Sequence, residues 1–261
     1  MARVLFVVPT STYRAHDFLA AARKLGVEAV VASDARQALA EAAGDGALEV
    51  DLAAPERAAA RIEELARRRP LDAVVAVDEQ GVQTAALAAE RLGLRGNLPG
   101  AAAAARDKRR MRAALATAGV RQPAWHALGP DEDSGSVGAG LGFPVVVKAV
   151  GLSGSRGVIR ADDAEGARRA AARVRCIAVA AGGHEANPAE VLVEAYVAGG
   201  EVAVEGLLID GRLEVLAVFD KPDPLEGPYF EETIYVTPSR LGSALLGRIE
   251  QLTAAAAQAL G

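Results

Sequence analysis

The sequence has few of the residues that mark several common classes of protein. Of its 261 residues one is a cysteine, Cys176, so no internal disulfide can form, which favours a reducing, cytoplasmic location. The three histidines, His16, His126 and His184, are scattered and show no metal-ligand spacing. No hydrophobic run approaches the length of a membrane span. Aromatic residues make up only 4%, so we expect a core built mostly from Ala, Val and Leu.

Charge and two missing motifs narrow the possible functions further. The net charge is −5 with both signs mixed along the chain, which argues against a nucleic-acid-binding surface. No G-x-x-x-x-G-K-[ST] motif is present, so a P-loop is excluded. No G-x-G-x-x-G follows the first apolar run either, so we do not expect a nicotinamide or flavin dinucleotide.

Strand and helix signals alternate through residues 3–99. Apolar runs predict strands, and amphipathic spacing between them predicts helices. The predicted strands lie at 4–8, 27–31, 48–52 and 73–77, and the predicted helices lie at 13–25, 55–69 and 81–92. Such alternation is typical of a parallel sheet covered on both faces. Polar residues follow the strand ends, where ligands of such sheets lie, at Pro9–Thr12, Ser33–Asp34 and Asp78–Gln80. These residues either contact a substrate or serve as helix caps and turns.

The stretch FPVVVKAVGLSGSRGVIR, residues 143–160, is the centre of the second half. A buried strand over Val145–Val147 ends in Lys148, a glycine- and serine-rich turn follows, and a second strand begins at Val158. Glycine lets backbone N–H groups approach phosphate oxygens closely, and lysine adds a point charge for the same oxygens. The pattern therefore indicates an anion site. An ordinary hairpin with a flexible tip is the alternative.

The remaining segments show ordinary signals. We predict one helix over Ala101–Ala118, whose basic run at 107–112 is most simply a solvated face. Residues 129–142 are predicted as a loop. The later elements are a helix at 161–181, a break at 182–188, a strand at 191–197, a hairpin around Asp210-Gly211, a short strand at 233–236 and a closing helix from Pro238.

Two glutamates stand out next to the hairpin. Glu194 interrupts an apolar strand, and a carboxylate there is costly unless other groups satisfy it. Glu201 follows seven residues later, after a glycine turn. A polar strand edge can bind a purine, and a nearby carboxylate can accept ribose hydroxyls. The alternative is a pair of glutamates on a hairpin, one of them facing solvent.

In order and spacing these pieces resemble the ATP-grasp superfamily. The resemblance is carried by Asp107-Lys108 before a helix and Gly-Val-x-x-Pro, then GFPVVVKA with SGSRGV, then VEAYVAGGE, a hairpin and Lys221. The tail from Asp220 to Ser239 is similar to the carboxylate–amine ligases that include L-amino-acid ligases and carnosine-synthase-like enzymes. The implied fold is α/β plus α+β. It divides into an N-terminal parallel domain (1–99), a connecting helix (100–128), a lid subdomain (129–197) and the start of a C-terminal lobe (198–261).

The resemblance also implies a set of site residues. ATP phosphates would be held by Lys108, Lys148 and Lys221, under a lid loop formed by Ser153, Gly154, Ser155 and Gly157. Glu194 would meet the adenine amino group, beside the backbone of Ala195 and Val197 and the side chain of Tyr196, and Glu201 would bind the ribose. Glu232 is a weaker candidate for contact with substrate or metals. Tyr235 stands where many close relatives have histidine, so the substrate class is open.

The implied reaction activates a carboxylate as an acyl phosphate with ATP and couples it to an amine, with small-molecule substrates and a possible homodimer. In the family, Mg²⁺ is held by acidic residues and an asparagine late in the fold, near an arginine. We find no Glu-x-Asn in the closing residues, so we expect these ligands beyond residue 261 and a truncated chain that is poorly active alone. The alternatives are a carboxylase or carbamoyl-phosphate-type subunit and a non-catalytic ATP-binding module.

Overall fold

The computed structural model describes residues 1–35, 46–181 and 190–261, which form two compact units, Met1–Ala103 and Ala104–Gly261. The predicted break at 182–188 lies outside the described residues. Helices and strands are numbered below among the described residues only.

The first unit contains the predicted parallel sheet. Its elements are β1 (Arg3–Val7), α1 (Ala15–Leu25), β2 (Glu28–Ser33), β3 (Ala47–Glu49), α2 (Pro55–Arg68), β4 (Ala73–Ala76) and α3 (Val82–Arg91). The described strands lie in the order β3-β2-β1-β4, and every pairing is parallel. Leu5, Val7 and Ile62 belong to a core on one face, and Phe6 packs with Phe18 on the other. The predicted sheet, buried on both faces, is confirmed.

Two signals at helix ends in this unit act as expected. Pro55 occupies the first turn of α2, where its missing N–H is not needed. Gly26 follows α1 with φ 66°, and this left-handed conformation is easy for glycine, so the helix ends there.

The second unit consists mainly of antiparallel strands and helices. After α4 (Pro99–Arg106), its elements are α5 (Lys108–Thr117), β5 (Trp125–Leu128), α6 (Ser134–Leu141), β6 (Val145–Ala149), β7 (Val158–Ala161), α7 (Ala164–Ala180), β8 (Val191–Ala195), β9 (Glu201–Ile209), β10 (Arg212–Lys221) and α8 (Ser243–Leu260). Among the described strands, one antiparallel sheet has the order β5-β8-β6-β7, and β9 pairs with β10 in a separate hairpin. The hairpin predicted around Asp210-Gly211 and the strand–turn–strand predicted over residues 143–160 are therefore confirmed.

Three element predictions were wrong. The helix predicted over 101–118 is two helices, because the Asp107 side chain accepts hydrogen bonds from the N–H groups of Arg109 and Arg110 and so caps α5. Residues 129–142 contain α6, which is capped in the same way by Asp133. The strand predicted at 233–236 is reduced to one bridge between Val236 and Asp220.

The core of the antiparallel sheet lies on one of its faces. Val145, Val147, Val191 and Val193 point to this face and pack against α7 through residues such as Val174. Side chains alternate across a strand, so the next residues along β6 and β8 face the other way. That second face carries the candidate site.

The closing helix α8 contacts α5 and β10. None of its residues is buried, and Leu245 and Leu252 are exposed.

Candidate functional site

The pairing of β6 with β8 brings Lys148 and Glu194 together. Val146 lies opposite Glu194, and Lys148, two residues later on β6, lies opposite Leu192, two residues earlier on the antiparallel β8. Lys148 and Glu194 are therefore diagonal neighbours on the same face of the sheet. The Lys148 ammonium donates a hydrogen bond to Glu194 Oε2 at 2.7 Å.

A third residue, Arg112 of α5, completes the group that we call the Glu194 triad: Arg112, Lys148 and Glu194. Its Nε donates to Glu194 Oε1 at 2.6 Å and its Nη2 donates to Oε2 at 3.0 Å. The Glu194 side chain is only 3% exposed. The two cations therefore offset the desolvation cost of burying this carboxylate on a strand.

The charges in the triad also govern the titration of Glu194. Burial acts to raise the pKa of Glu194, but the hydrogen bond from Arg112 and the charges of Lys148 and Arg112 lower it below its usual value. The carboxylate is ionised at neutral pH, so the triad has two positive charges and one negative charge. The surplus charge is positive.

The glycine- and serine-rich loop connects β6 and β7 next to the triad. Its ends are joined by a hydrogen bond of 2.8 Å from Ala149 N to Gly157 O. Gly154, Ser155 and Gly157 have positive φ values of 62°, 54° and 66°. Ser155 is the residue for which this backbone is unusual. Turns with successive residues in unusual conformations direct N–H groups into concave, anion-binding arrangements.

Lys108 lies at the base of this loop. Its backbone N–H donates to Val150 O at 3.2 Å, and its ammonium contacts the carbonyl oxygens of Val150 and Leu152. Capping by Asp107 starts α5 at Lys108, so Arg112 follows four residues later on the same helix face. One turn of α5 thus supplies one cation to the loop and another to Glu194.

A second cluster lies at the end of the β9–β10 hairpin, and we call it the Lys221 cluster: Lys221, Glu201, Glu232 and Tyr235. The Lys221 ammonium donates to Glu201 Oε1 at 2.5 Å and to Glu232 Oε1 at 2.8 Å. Tyr235 O–H donates to the other oxygen of Glu232. The Lys221 side chain is 9% exposed, whereas that of Glu201 is 52% exposed.

Opposing effects set the titration of this cluster as well. Burial acts to lower the pKa of Lys221, but its hydrogen bonds to Glu201 and Glu232 raise it above the usual value. The pKa of Tyr235 is raised, first by its hydrogen bond to Glu232. With Lys221 and Tyr235 protonated, the surplus charge of the cluster is negative.

Arg160 of β7 holds the irregular segment after β10 against the sheet. Its N–H donates to Pro228 O at 2.9 Å, and its Nη1 donates to Glu226 O at 2.7 Å. The guanidinium stacks on the ring of Tyr196 at 4.4 Å from the centroid, and Tyr196 O–H lies 3.4 Å from Leu225 O. The predicted purine neighbour Tyr196 is thus packed on an arginine.

A cavity of about 720 Å³ opens beside the glycine loop. It is lined by residues 154–159 of the loop and β7, by Arg173 and Ile177 of α7, and by residues 229–233. Glu232 therefore belongs both to this lining and to the Lys221 cluster.

The polar strand ends of the first unit come together as their sheet positions require. Thr10 N–H donates to Asp34 Oδ1 at 2.7 Å, and the Gln80 side chain donates to Ser11 Oγ at 3.3 Å. The Asp78 carboxylate accepts the Glu79 N–H at 2.7 Å, which is a capping role. A substrate role for these residues stays a prediction.

The structure thus gathers the predicted site residues into two groups. Lys108, Lys148, Glu194 and the glycine loop lie around the triad, while Glu201, Lys221 and Glu232 form the Lys221 cluster. Ala195 donates its N–H to Ala124 O at 2.9 Å, and Val197 is exposed. The individual ligand roles of all these residues stay predictions.

Sequence reasoning missed Arg112, which it assigned to a solvated charge run. A signal was present: a buried glutamate needs a cation, and Arg112 lies four residues after Lys108, on the same helix face.

The remaining features concern metal ligands, the cysteine, a histidine pair and membrane spans within the described residues. Within 1–35, 46–181 and 190–261, no group of three or more His, Cys, Asp or Glu side chains is placed to hold a metal ion. Cys176 is exposed on α7, and His126 pairs with Glu132 at 2.8 Å. None of the helices in these ranges is long and apolar enough to cross a membrane.

Two family models match the sequence. The model of the ATP-grasp domain matches residues 141–261, and that of the ATP-grasp N-terminal domain matches residues 19–96. Among curated proteins, the alanine–anticapsin ligase of Bacillus subtilis (strain 168) is 30% identical over 204 residues. This alignment covers 73% of the chain and 43% of the relative, so the chain spans less than half the length of that protein.

Solved structures share the fold. An L-amino acid ligase from Bacillus licheniformis superposes with a TM-score of 0.77 at 22% identity, covering 100% of this chain and 60% of that one. The biotin carboxylase domain of the Hydrogenobacter thermophilus 2-oxoglutarate carboxylase gives a TM-score of 0.73 at 20% identity, covering 99% and 58%. At these identities the likeness shows the ATP-grasp fold and no more.

Proposed function

Because this chain belongs to the ATP-grasp superfamily, we propose that it is part of an ATP-dependent carboxylate–amine ligase that joins amino acids or related small molecules. The name of the curated relative, a ligase of alanine, supports this substrate class. The chain spans 43% of that relative, so activity and substrates are proposed by likeness. The nucleotide site is proposed from the residues themselves.

The observation that carries the proposal is the surplus positive charge of the Glu194 triad beside the glycine loop. Lys148 is 23% exposed and contacts Glu194 through one hydrogen bond in the described structure, so its ammonium keeps donors for a phosphate. Lys108 adds a second ammonium at the base of the loop. Positive charge next to backbone N–H groups in a glycine turn is the chemistry that a triphosphate requires.

We further propose that adenosine lies beside β8 and the hairpin. Each Glu194 oxygen has two lone pairs, so Oε1, which accepts one hydrogen bond from Arg112, is able to accept another from an adenine amino group. The Ala195 carbonyl and the Val197 backbone would meet the ring near Tyr196. Glu201 is half exposed, and its carboxylate is available to ribose hydroxyls.

The chemistry follows from the proposed pair of substrates. A carboxylate oxygen attacks the γ-phosphorus of ATP, ADP leaves, and an amine then displaces phosphate from the acyl phosphate to form an amide. Lys148 and Lys108 stabilise charge on the phosphates, and the loop at 151–157 excludes water from the activated carboxylate. For Lys221 to bind phosphate as well, its ammonium has to leave Glu201 or Glu232.

Some predictions depend on the family alone. The described residues do not provide a metal site, so no step is assigned to Mg²⁺, and magnesium binding stays a prediction. A homodimer also stays a prediction from the family, and a cytoplasmic location stays a prediction from the single cysteine.

A thermal unfolding scan with and without ATP tests the nucleotide site. ATP at about one hundred times its dissociation constant should stabilise the fold by about 2.7 kcal/mol, and Lys148→Ala should lose this gain. A cooperative transition that ATP does not shift would contradict the proposed site.

The reaction is tested separately by ADP release. We expect ADP release to require an amino acid carboxylate together with an amine. Release that requires bicarbonate instead would favour the carboxylase alternative, and binding without ADP release under either condition would favour a non-catalytic module.

A further inference from the structure

We propose that Arg112 is a positioning residue of the nucleotide site, which neutralises Glu194 and thereby leaves the Lys148 charge available to phosphate. The inference rests on the proposed nucleotide site. It assigns a role to a residue that lies 82 positions from Glu194 in the chain and does not belong to the predicted ligand set.

The geometry divides Glu194 unequally between its two cations. Arg112 donates to both carboxylate oxygens in a bidentate contact, at 2.6 and 3.0 Å, which is the geometry that a guanidinium favours. Lys148 contacts Oε2 alone, at 2.7 Å. Arg112 is also the less exposed cation, at 15% against 23% for Lys148. Arg112 is therefore the main counter-ion of Glu194, and Lys148 is the cation that faces outward.

Charge counting gives the consequence for phosphate. With Arg112 present the triad has a net charge of +1, so an approaching phosphate meets an uncompensated ammonium. Without Arg112, Lys148 becomes the sole counter-ion of a buried carboxylate, and the pair is neutral. A phosphate would then compete with Glu194 for the same ammonium, and its affinity would fall because attraction in a partly buried site is strong.

A purely structural role for Arg112 makes a different prediction. In that case the loss of Arg112 would lower the stability of the ligand-free fold, while the affinity of the remaining folded protein for ATP and its dependence on salt would stay unchanged. Affinity and salt dependence therefore separate the two roles.

The test uses Arg112→Gln, which keeps hydrogen-bond donors without the charge, and Arg112→Lys, which keeps the charge without the bidentate contact. Arg110→Gln is the matched control, because it removes the same charge from the same helix at a side chain that is 62% exposed. ATP dissociation constants are measured by calorimetry over a range of salt concentrations. Thermal unfolding of each ligand-free variant verifies that it is folded.

We expect Arg112→Gln to weaken ATP binding about tenfold or more, the size of one lost charge-assisted contact, and to flatten its salt dependence. Arg112→Lys should recover most of the affinity, and Arg110→Gln should stay within about twofold of the unaltered chain. If Arg112→Gln does not fold, Arg112→Lys still decides: its affinity should stay well above that of Lys148→Met.

Two outcomes overturn the inference in different ways. The first is that Lys148→Met loses ATP binding while folded Arg112→Gln keeps it, or that Arg112→Lys binds ATP as weakly as Lys148→Met. Either result would mean that Arg112 does not act through its charge, and the proposed nucleotide site would still stand. If the unaltered chain does not bind ATP, the proposed function fails and the inference fails with it.

Discussion

Two lysines of the second unit, Lys148 and Lys221, are both paired with glutamates, but the charges around them balance in opposite ways. Lys148 shares one buried carboxylate with Arg112, and the surplus charge is positive. Lys221 lies between the two carboxylates of Glu201 and Glu232, and the surplus charge is negative. The same residue type therefore lies in opposite charge environments at the two places.

Burial differs as well. At the Glu194 triad the carboxylate is the most buried group, at 3% exposure, and the cations lie around it. At the Lys221 cluster the ammonium is the most buried, at 9% exposure, and Glu201 faces solvent. A buried anion with two cations attracts phosphate, whereas a buried cation under exposed carboxylates attracts groups that donate hydrogen bonds, such as hydroxyls or an ammonium. The comparison thus agrees with phosphate at Lys148 and ribose or an amine substrate near Glu201 and Glu232.

The largest expected effect comes from deleting each glutamate in turn. Glu194→Ala leaves Arg112 and Lys148 without their buried counter-ion, and we expect a loss of about 3–5 kcal/mol in the free energy of unfolding. Glu201→Ala removes an exposed partner while Glu232 remains, so its cost should stay below about 1 kcal/mol. Urea denaturation of both variants measures the difference. Equal costs would show that burial does not separate the two groups.

Replacing each lysine tests the difference in charge. Lys148→Met removes the surplus positive charge and should weaken ATP binding about tenfold or more. Lys221→Met should weaken it less, because the Lys221 ammonium is already held by two carboxylates and has to leave one of them to reach a phosphate. Calorimetric titration with ATP gives both constants. A larger loss in Lys221→Met would mean that the Lys221 cluster rearranges readily and is the main phosphate site.

How much of the Glu194 triad the sequence predicts depends on how far apart in the chain the interacting residues lie. The Lys148 strand, the glycine loop and the Glu194 strand follow from local patterns, and a buried glutamate on an apolar strand already indicates a missing cation. That the cation is Arg112 depends on a contact between residues 82 positions apart, which the spacing of Arg112 after Lys108 suggests but does not determine. The same basic run is typical of a solvated helix face, and for Arg110, which is mostly exposed, that interpretation holds.

The wrong element predictions have a similar origin. Gly135, Gly138 and Gly140 give α6 a low helix propensity, so the sequence predicts a loop for this segment. Its cap, Asp133, is held by Arg168 of α7 at 2.7 Å, a contact 35 residues along the chain. Gly135 and Gly138 also lie so close to Arg168 and Phe143 that an added Cβ would be 2.8 Å from them, so packing explains the residues that local propensity disfavours.

The two clusters should also lose their contributions to stability at opposite ends of the pH scale. The pKa of Glu194 is lowered on folding, so its contribution is present above the unfolded glutamate value of about 4.3 and is lost as pH falls through the folded value. The pKa of Lys221 is raised, so its contribution is present below about 10.4 and is lost as pH rises through the folded value.

Urea denaturation as a function of pH measures both limbs. Glu194→Gln should flatten the acid limb and leave the alkaline limb unchanged. Lys221→Met should flatten the alkaline limb and also reduce the acid limb, because the pKa of Glu232, which burial acts to raise, is lowered by the hydrogen bond from Lys221. An acid limb that Glu194→Gln does not change would contradict the lowered pKa of this carboxyl group.

The smallest effect is expected at Tyr235, whose hydroxyl donates to Glu232. Tyr235→Phe keeps the edge-to-face contact with Phe219, at 6.2 Å between ring centroids, and removes only this hydrogen bond. Since Tyr235 is about half exposed, the free energy of unfolding should change by less than about 1 kcal/mol. The informative measurement is the titration of Lys221 by NMR of its side chain. With the hydroxyl gone, Glu232 has one competing donor fewer and pairs more fully with Lys221, so the pKa of Lys221 should rise slightly. A fall would show that Tyr235 holds Glu232 in place for Lys221, in which case the cluster depends on the ring position as well as on its charges.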